Sequence, residues 1–477
     1  MYLYFTNIQK RDSNPSFVLN SDSRKSDIFN PPIHQRLLIT KSYRKNHIFM
    51  SSPQQPEIQH SSQEKNQKET LILYILAAIM FTVILDFMIV MPLGPQLMTV
   101  WSIGASEFGL IVSAYTFSAG VTGLLAAFFI DRFDRKNLTL FLYIGFTIGT
   151  LLCAVSTSHV FMIVARIITG AFGGVLGAVV FSIIGDIVPY SRRGAAMGIV
   201  MTAFSAASVA GVPFGLFLAS LYGWHSPFFL LVGLCVLLSV FIYFVLPNLK
   251  SHLEHHVVVH PFETIKVVFT NKNHLWAFSL MLILMLSGFS VIPYIATYMS
   301  KNVGVSAQEL SLVYLFGGLA TIFSSRIFGK LADKYGKLKV FTANTILCSI
   351  PIIGITNWPV TSIWMMLPMS TFFFIVLNGR MVPAMAMISA SASPKIRGSF
   401  MSFNSSVQQI SSGIASLVAG LIIGSTISGE LTNYWIVGVG SVVLSFAAIF
   451  IARKVQVLDI QQHKSTEAAA EPVVMEG

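Results

Sequence analysis

The chain has 477 residues, of which 54% are hydrophobic and 11% are charged, whereas soluble domains have about 25% charged residues. Together with a mean hydropathy of +0.70, this composition excludes a water-soluble protein, because one or two soluble cores cannot bury so much apolar surface. The net charge of +11 comes from Lys and Arg placed between apolar runs, which argues against a nucleic-acid-binding face.

The N-terminal segment differs from the rest of the chain. Residues 1–70 are rich in Ser, Asn, Gln and Lys and lack the apolar stretch of a secretory signal. This composition predicts a disordered tail, and a second one is expected at 454–477. Met50 offers an alternative start just before the first apolar run. Residues 1–49 are therefore either an over-extended start, which we favour, or a regulatory or targeting arm.

Twelve apolar runs are long enough to cross a hydrocarbon core of about 30 Å. Such runs must be helices, because backbone amides in lipid have to be hydrogen-bonded internally. The predicted class is an all-α polytopic membrane protein. The predicted spans are 71–93, 107–130, 138–156, 160–184, 195–220, 226–246, 275–298, 308–329, 339–357, 361–389, 399–424 and 433–452.

The charged loops predict the orientation of these spans. Loops after the second, fourth, sixth, eighth and tenth spans hold fourteen Lys and Arg residues, whereas the loops on the other side hold Lys301 alone. Because positively charged loops stay in the cytoplasm, both termini are predicted to be cytoplasmic.

The chain also aligns with itself at a shift of about 200 residues. Because the shift covers six spans, an even number, the repeat predicts two parallel bundles related by a pseudo-two-fold axis along the membrane normal. The predicted bundles are 71–246 and 274–453, joined by a cytoplasmic linker at 247–273. The matched residues are Pro92 with Pro293, Glu107 and Leu110 with Glu309 and Leu312, Asp131-Arg132 with Asp333-Lys334, and Arg193-Gly194 with Arg397-Gly398.

Two repeated loops carry a resemblance to a known family. AFFIDRFDRK at 127–136 and GKLADKYGK at 329–337 resemble the G-x-x-x-D-R-x-G-R-R loop of the major facilitator superfamily. The first copy has Ala127 and Asp134 where the second has glycines. The resemblance implies the major facilitator fold and a gating role at the cytoplasmic side, although a single such loop alone would suggest a solvated turn. The gating residues it implies are Asp131, Arg132, Arg135, Gly329, Asp333 and Gly336.

Three further motifs are similar to the twelve-span drug:proton antiporter branch of that family, near bacterial sugar and drug efflux permeases. They are LDFMIVMPLGP at 85–95, ARIITG at 165–170, and GVPFG followed by GWHSPF within 211–228. The GVPFG motif, with Gly211, Pro213 and Gly215, is a shortened form of the fifth-span motif that the family associates with antiport. The resemblance implies a multi-pass protein of the bacterial cytoplasmic (inner) membrane.

Charges inside the spans are costly and therefore informative. They are Asp86 in the first span, Arg166 in the fourth, Arg326 near the cytoplasmic end of the eighth and Arg380 in the tenth. Arg326 can extend its charge to the membrane surface. At 1.5 Å per residue, Asp86 and Arg166 lie about 7 Å and about 9 Å below the same edge, so an ion pair is feasible. Such a pair either fixes helix packing or carries the coupling proton.

The repeat favours the functional interpretation of this pair. Asp86 aligns with Ser287 and Arg166 with Ser370, so the second bundle folds without either charge. Arg380, beside Asn378, has no such partner and could meet an anionic substrate group or a carbonyl cluster. Tyr294, Asn378 and Arg380 are the predicted residues of the substrate cavity.

These features predict a proton-coupled exporter of a small drug-like or sugar-like solute. No nucleotide-binding loop occurs, which argues against direct coupling to ATP. Removal from water favours the protonated form of Asp86, whereas the charge of Arg166 favours its carboxylate form. A facilitator or proton symporter for a sugar is the alternative, and a membrane sensor fits less well. We expect a monomer that is not an enzyme and uses no cofactor, with solute, protons and the bilayer as partners. Cys153, Cys235 and Cys348 lack metal or disulfide spacing, and a solvated patch explains the histidines at 252–260 better than zinc does.

Overall fold

The computed structural model describes residues 55–126, 130–189, 192–247, 261–393, 396–426 and 428–457, with backbone alone for 55–66, 131 and 261–264. The chain divides into a unit of residues 1–64 and a unit of residues 65–477, which holds every contact described below. The first half contains α1 (Gln55–Ile89), α2 (Gly94–Trp101), α3 (Ala105–Ala126), α4 (Arg135–Ala154), α5 (His159–Ile187), α6 (Arg193–Ala206), α7 (Val212–Tyr222) and α8 (Ser226–Val245). The second half contains α9 (Pro261–Thr270), α10 (Lys272–Tyr298), α11 (Ala307–Tyr335), α12 (Lys337–Thr356), α13 (Ile363–Ala390), α14 (Arg397–Ile422), β1 (Gly424–Ser425), β2 (Leu431–Thr432) and α15 (Tyr434–Ala452).

The predicted all-α class is confirmed, with one short antiparallel pairing between β1 and β2 in the described chain. Eleven helices of the described residues are long and apolar enough to cross a membrane. The span predicted at 399–424 is present as α14 but does not reach the same apolar composition. Its polar Asn404, Ser411 and Ser416 are buried against other helices, so this helix needs less apolar surface than one that faces lipid.

Two segments outside the predicted spans are helical. The first helix begins at Gln55, inside the predicted disordered tail. This extension is rich in Glu, Gln and Lys, which are good helix formers and continue the turns of the span. Helix α9 lies within the predicted linker. Residues 1–54 and 458–477, and with them most of both predicted tails, lie outside the described residues.

The repeated glutamates at the helix starts serve the same structural purpose in both halves. Glu107 accepts hydrogen bonds from Gly104 N (3.1 Å) and Ser106 Oγ (2.9 Å), and Glu309 forms a capping box with Ser306. These glutamates therefore satisfy amides at the starts of α3 and α11.

The repeated arginines act at the opposite ends of helices. Arg193 donates to Val188 O (3.1 Å) and Arg397 donates to Ala392 O (3.5 Å). Both carbonyls lie just beyond the C-terminus of a long helix, where a cation is favourable. The basic end of the molecule is defined here as the end that carries Arg132, Arg192 and Lys337, and the opposite end carries Gly104 and Lys301.

The two halves pack together along α3 and α14. Gly109 and Gly420 lie so close to the hydroxyl of Tyr294 that a Cβ on either would lie 2.5 Å from it. Further toward the basic end, a Cβ on Gly120 would lie 2.6 Å from Ile410. Small residues thus allow the two backbones to approach closely, as is usual between membrane helices.

The fifth span is interrupted in its middle. Helix α6 ends at Ala206, a π turn runs over Ala207–Gly211, and α7 follows with Pro213 in its first turn. Proline has no amide hydrogen to donate to the preceding turn, which accounts for the local widening here. Helix α11 packs on this turn, where a Cβ on Gly318 would lie 2.7 Å from Ser208 O.

Candidate transport site

Asp86 and Arg166 form a buried ion pair in the first half. Arg166 Nη1 lies 2.6 Å from Asp86 Oδ2, and the two side chains are 0% and 1% exposed. The same Nη1 lies 3.4 Å from Asp86 O. The structure therefore brings together the two opposite charges that the sequence placed at one depth.

Two neighbouring helices complete this pair. Thr150 on α4 donates a hydrogen bond to Asp86 Oδ1 at 3.2 Å. The ring of Tyr115 on α3 lies 4.4 Å from the guanidinium carbon of Arg166, a distance typical of a cation–π contact. Four helices, α1, α3, α4 and α5, thus hold one carboxylate and one guanidinium.

The pair is not fully satisfied. Arg166 Nε is buried and has no hydrogen-bond acceptor among the described residues. A buried donor without a partner costs about 1–3 kcal/mol, so this arrangement is not optimised for stability alone.

The glycines of the GVPFG motif face α1, the helix that carries Asp86. A Cβ on Gly211 would lie 2.9 Å from Leu85, and one on Gly215 would lie 2.8 Å from Ile89. Because Leu85 adjoins Asp86 in the chain, this motif lets α7 and the π turn pack closely against the part of α1 that carries the acid. The buried Pro213 lies between the two contacts.

Arg380 lies in the interior of the second half, 2% exposed. Its Nη1 donates to Ser445 Oγ (2.9 Å) and to Ser287 Oγ (3.2 Å). The sequence predicts an anionic substrate group or a cluster of carbonyls as the partner of Arg380. Its observed partners in the described chain are serine hydroxyls and not carbonyls. Asn378 is directed elsewhere, with its amide 3.2 Å from Thr321 O on α11.

Tyr294, the remaining predicted cavity residue, lies in the seam between the halves. Its hydroxyl is 2.8 Å from Ser416 O on α14 and 3.2 Å from Ala105 O on α3, and the side chain is fully buried. Its hydroxyl thus links a helix of the first half to a helix of the second, close to the end of the molecule opposite the basic end.

The first of the two loops predicted to gate contains a contact that the motif alone did not reveal. Arg135 is buried, and its Nε lies 3.1 Å from Asp186 Oδ2 near the end of α5. Its Nη1 donates to Ile130 O at 3.0 Å. Asp186 falls just beyond the predicted end of the fourth span, so the sequence placed it in a loop. Arg132 is exposed, and the side chain of Asp131 lies outside the described residues.

The second of the loops predicted to gate is built differently. Gly336 has φ +94 between α11 and α12, a conformation that favours glycine. At the matching position of the first loop, Asp134 caps α4 by accepting a hydrogen bond from Lys136 N at 3.1 Å. Gly329 lies inside α11, and Asp333 and Arg326 are exposed. The two copies thus turn the chain by different means.

Helices of this length and composition, packed in two halves along a seam, define a polytopic membrane protein. The family model described as Major Facilitator Superfamily matches residues 76–292 and 277–474. The chain belongs to this superfamily, has its fold of two six-helix bundles, and is a transporter rather than an enzyme.

Individual relatives are distant. The chain is 24% identical over 357 residues to the uncharacterized MFS-type transporter YceJ of Bacillus subtilis (strain 168), covering 74% of this chain and 90% of that protein. It is 23% identical over 281 residues to multidrug resistance protein 2 of the same organism, covering 58% and 70%. The crystal structure of a D-xylose-proton symporter has a TM-score of 0.65 at 16% identity, covering 82% of this chain and 98% of that one.

Proposed function

We propose that this protein exports a small organic solute in exchange for protons, by alternating access between its two bundles. The observation that carries the proposal is the buried ion pair of Asp86 and Arg166, at 2.6 Å. Buried ion pairs contribute little net stability, and an acid inside a membrane span is by default a candidate for a proton site.

Proton coupling requires that the acid binds a proton in one bundle arrangement and releases it in the other. Contact with Arg166 favours the carboxylate form of Asp86, and burial away from water favours the protonated form. Movement of α1 relative to α5 would weaken the pair and allow protonation. Because the GVPFG glycines lie against Leu85 and Ile89, motion of the fifth span is transmitted to α1 near this acid.

Efflux is favoured over import by two observations. The fifth-span motif resembles that of antiporters, and one relative is named a multidrug resistance protein. The second candidate is symport of a sugar, which the likeness to the D-xylose-proton symporter keeps open. We propose in addition a bacterial inner-membrane location with both termini cytoplasmic, and a monomer.

A substrate would first be identified by screening strains that lack or overproduce the protein for altered sensitivity to antimicrobial compounds and sugars. Flux of that substrate would then be measured in proteoliposomes with and without an imposed pH gradient. We expect Asp86→Asn to bind substrate but to lose concentrative transport, because the amide resembles a permanently protonated acid.

Two variants serve as controls for this assay. Thr150→Val removes a hydrogen bond to the acid but keeps the titratable group, so coupling should persist. Asp333→Asn removes an exposed acid of the basic end and should retain the response to the pH gradient. If Asp86→Asn still concentrates substrate as well as the wild type, another site or another ion drives transport. Uptake in place of extrusion would favour the symport alternative.

A further inference from the structure

Arg380 is a buried cation whose described contacts are neutral. The side chain is 2% exposed, and its Nη1 bonds to the hydroxyls of Ser287 and Ser445. No ion pair with Arg380 occurs among the described residues. Hydroxyls supply hydrogen bonds but do not offset a full charge, and a cation in a membrane interior is costly.

In the first half, the charge of the buried arginine is neutralised by an acid. Arg166 reaches Asp86 on the first helix of its bundle, and Arg380 reaches Ser287, which the internal repeat aligns with Asp86. Both arginines therefore contact the same position of a bundle's first helix, where one half has a carboxylate and the other a hydroxyl. The negative charge that would complete the second half is not supplied by this position.

The surroundings of Arg380 suit an incoming anion. Ser287 Oγ lies 2.7 Å from Ser445 Oγ and 3.2 Å from Ser441 Oγ, so serine hydroxyls cluster beside the guanidinium. Gly288 lies next to Nη2, since a Cβ there would lie 3.4 Å from that atom. Guanidinium and hydroxyl donors together match a carboxylate, which accepts several charge-assisted hydrogen bonds.

Aromatic rings connect this cluster with the ion pair. Phe289, adjacent to Gly288, lies 6.1 Å from Phe87 between ring centroids. Phe87 in turn lies 5.3 Å from Tyr115, whose ring contacts Arg166. A solute that placed an acidic group at Arg380 would lay its apolar part against these rings, next to the proposed proton site.

We propose that Arg380, together with Ser287 and Ser445, recognises an anionic group of the transported solute, and that this solute is a small carboxylate with an apolar or aromatic body. The identification of the ligand as cargo depends on the proposed transport function. The binding itself does not, because it requires neither a proton gradient nor flux.

The test measures thermal unfolding of the full chain purified in detergent, at constant ionic strength. The probes are three carboxylates (acetate, benzoate and 2-naphthoate), with benzamide, benzylammonium and chloride as neutral, cationic and inorganic counterparts. We expect one or more of the carboxylates to raise the melting temperature in a saturable manner. The other three probes should leave it unchanged.

Variants assign the effect to the cluster. Arg380→Gln should weaken the apparent affinity by at least about tenfold, the value of a lost charged hydrogen bond. Ser287→Asp places an internal carboxylate at the position equivalent to Asp86, so it should raise the melting temperature without ligand and abolish the response to carboxylates. Arg326→Gln, which removes an exposed arginine of α11, should keep the wild-type response.

The second variant keeps the proposal falsifiable if Arg380→Gln fails to fold. The proposal is overturned if no carboxylate has an effect, if chloride has the same effect as the carboxylates, or if the response persists in Ser287→Asp. A carboxylate response together with flux that ignores the pH gradient would retain the anion site and reject proton coupling.

Discussion

Arg166 uses its charge, its hydrogen-bond donors and the face of its guanidinium in one place. Asp86 neutralises the charge, and Tyr115 covers the planar group. Removal of either charged partner would leave the other buried without compensation, at a cost of about 3–5 kcal/mol. Removal of both avoids this cost, so the pair can be tested as a unit.

We expect Arg166→Ala to lower the thermal stability of the purified protein more than Asp86→Asn does. The combination of the two should be more stable than the sum of the single effects predicts, because the amide introduced at position 86 carries no charge that could be left unpaired. Melting of the three variants in detergent, arranged as a double-mutant cycle, measures the coupling. Simple additivity would mean that the pair contributes no interaction energy.

The charged members of the site could be predicted from the sequence, because a charge in an apolar span is costly and is therefore usually paired or functional. Their neutral partners could not. Thr150 and Tyr115 are ordinary residues of membrane helices, and only the packing of α3 and α4 against α1 and α5 places them at the pair. Tyr294 was assigned to the cavity by its aromatic character, whereas its hydroxyl bonds to backbone carbonyls of two helices.

At the scale of elements, the two loops predicted to gate differ in the contacts that hold them. In the first loop Arg135 joins the start of α4 to the end of α5 through Asp186. The corresponding positions of the second half are Lys337 and Ala390, which cannot form this ion pair. The second loop depends instead on the backbone freedom of Gly336.

We therefore expect Asp186→Asn to shift the equilibrium between the inward-open and outward-open arrangements more than Asp333→Asn does. Asp186 forms an ion pair with the buried Arg135, whereas no ion pair with Asp333 occurs among the described residues. The measurement is the rate of thiol labelling of single cysteines placed near the basic end, on a background without Cys153, Cys235 and Cys348. A larger change for Asp333→Asn would assign gating to the second loop.

Spans were the easiest elements to predict, because length and apolar composition determine them. The π turn at Ala207–Gly211 could not be predicted from the sequence. Pro213 indicated an irregularity, but a proline can also produce a kink or begin a helix. The widened turn is the part of the fifth span on which α11 packs, through Gly318 against Ser208 O.

At the scale of the whole molecule, the basic end is expected to face the cytoplasm. A reporter fused after residue 250 should behave as cytoplasmic, and one fused at Lys301 as external, because the positive loops resist translocation. Alkaline phosphatase and green fluorescent protein fusions at both positions measure this. The reversed pattern would contradict this orientation.

The buried polar surface of α14 has a consequence for biosynthesis. This helix alone among the long described helices of the bundles falls short of the apolar composition of a membrane span. Its Ser416 carbonyl and its glycines meet Tyr294 and α3. Its entry into the bilayer is therefore favoured by helices that the ribosome has already made. Synthesised without the first half, the second half should leave α14 poorly inserted and exposed to proteolysis, so the order of the two bundles along the gene is itself part of how this protein assembles.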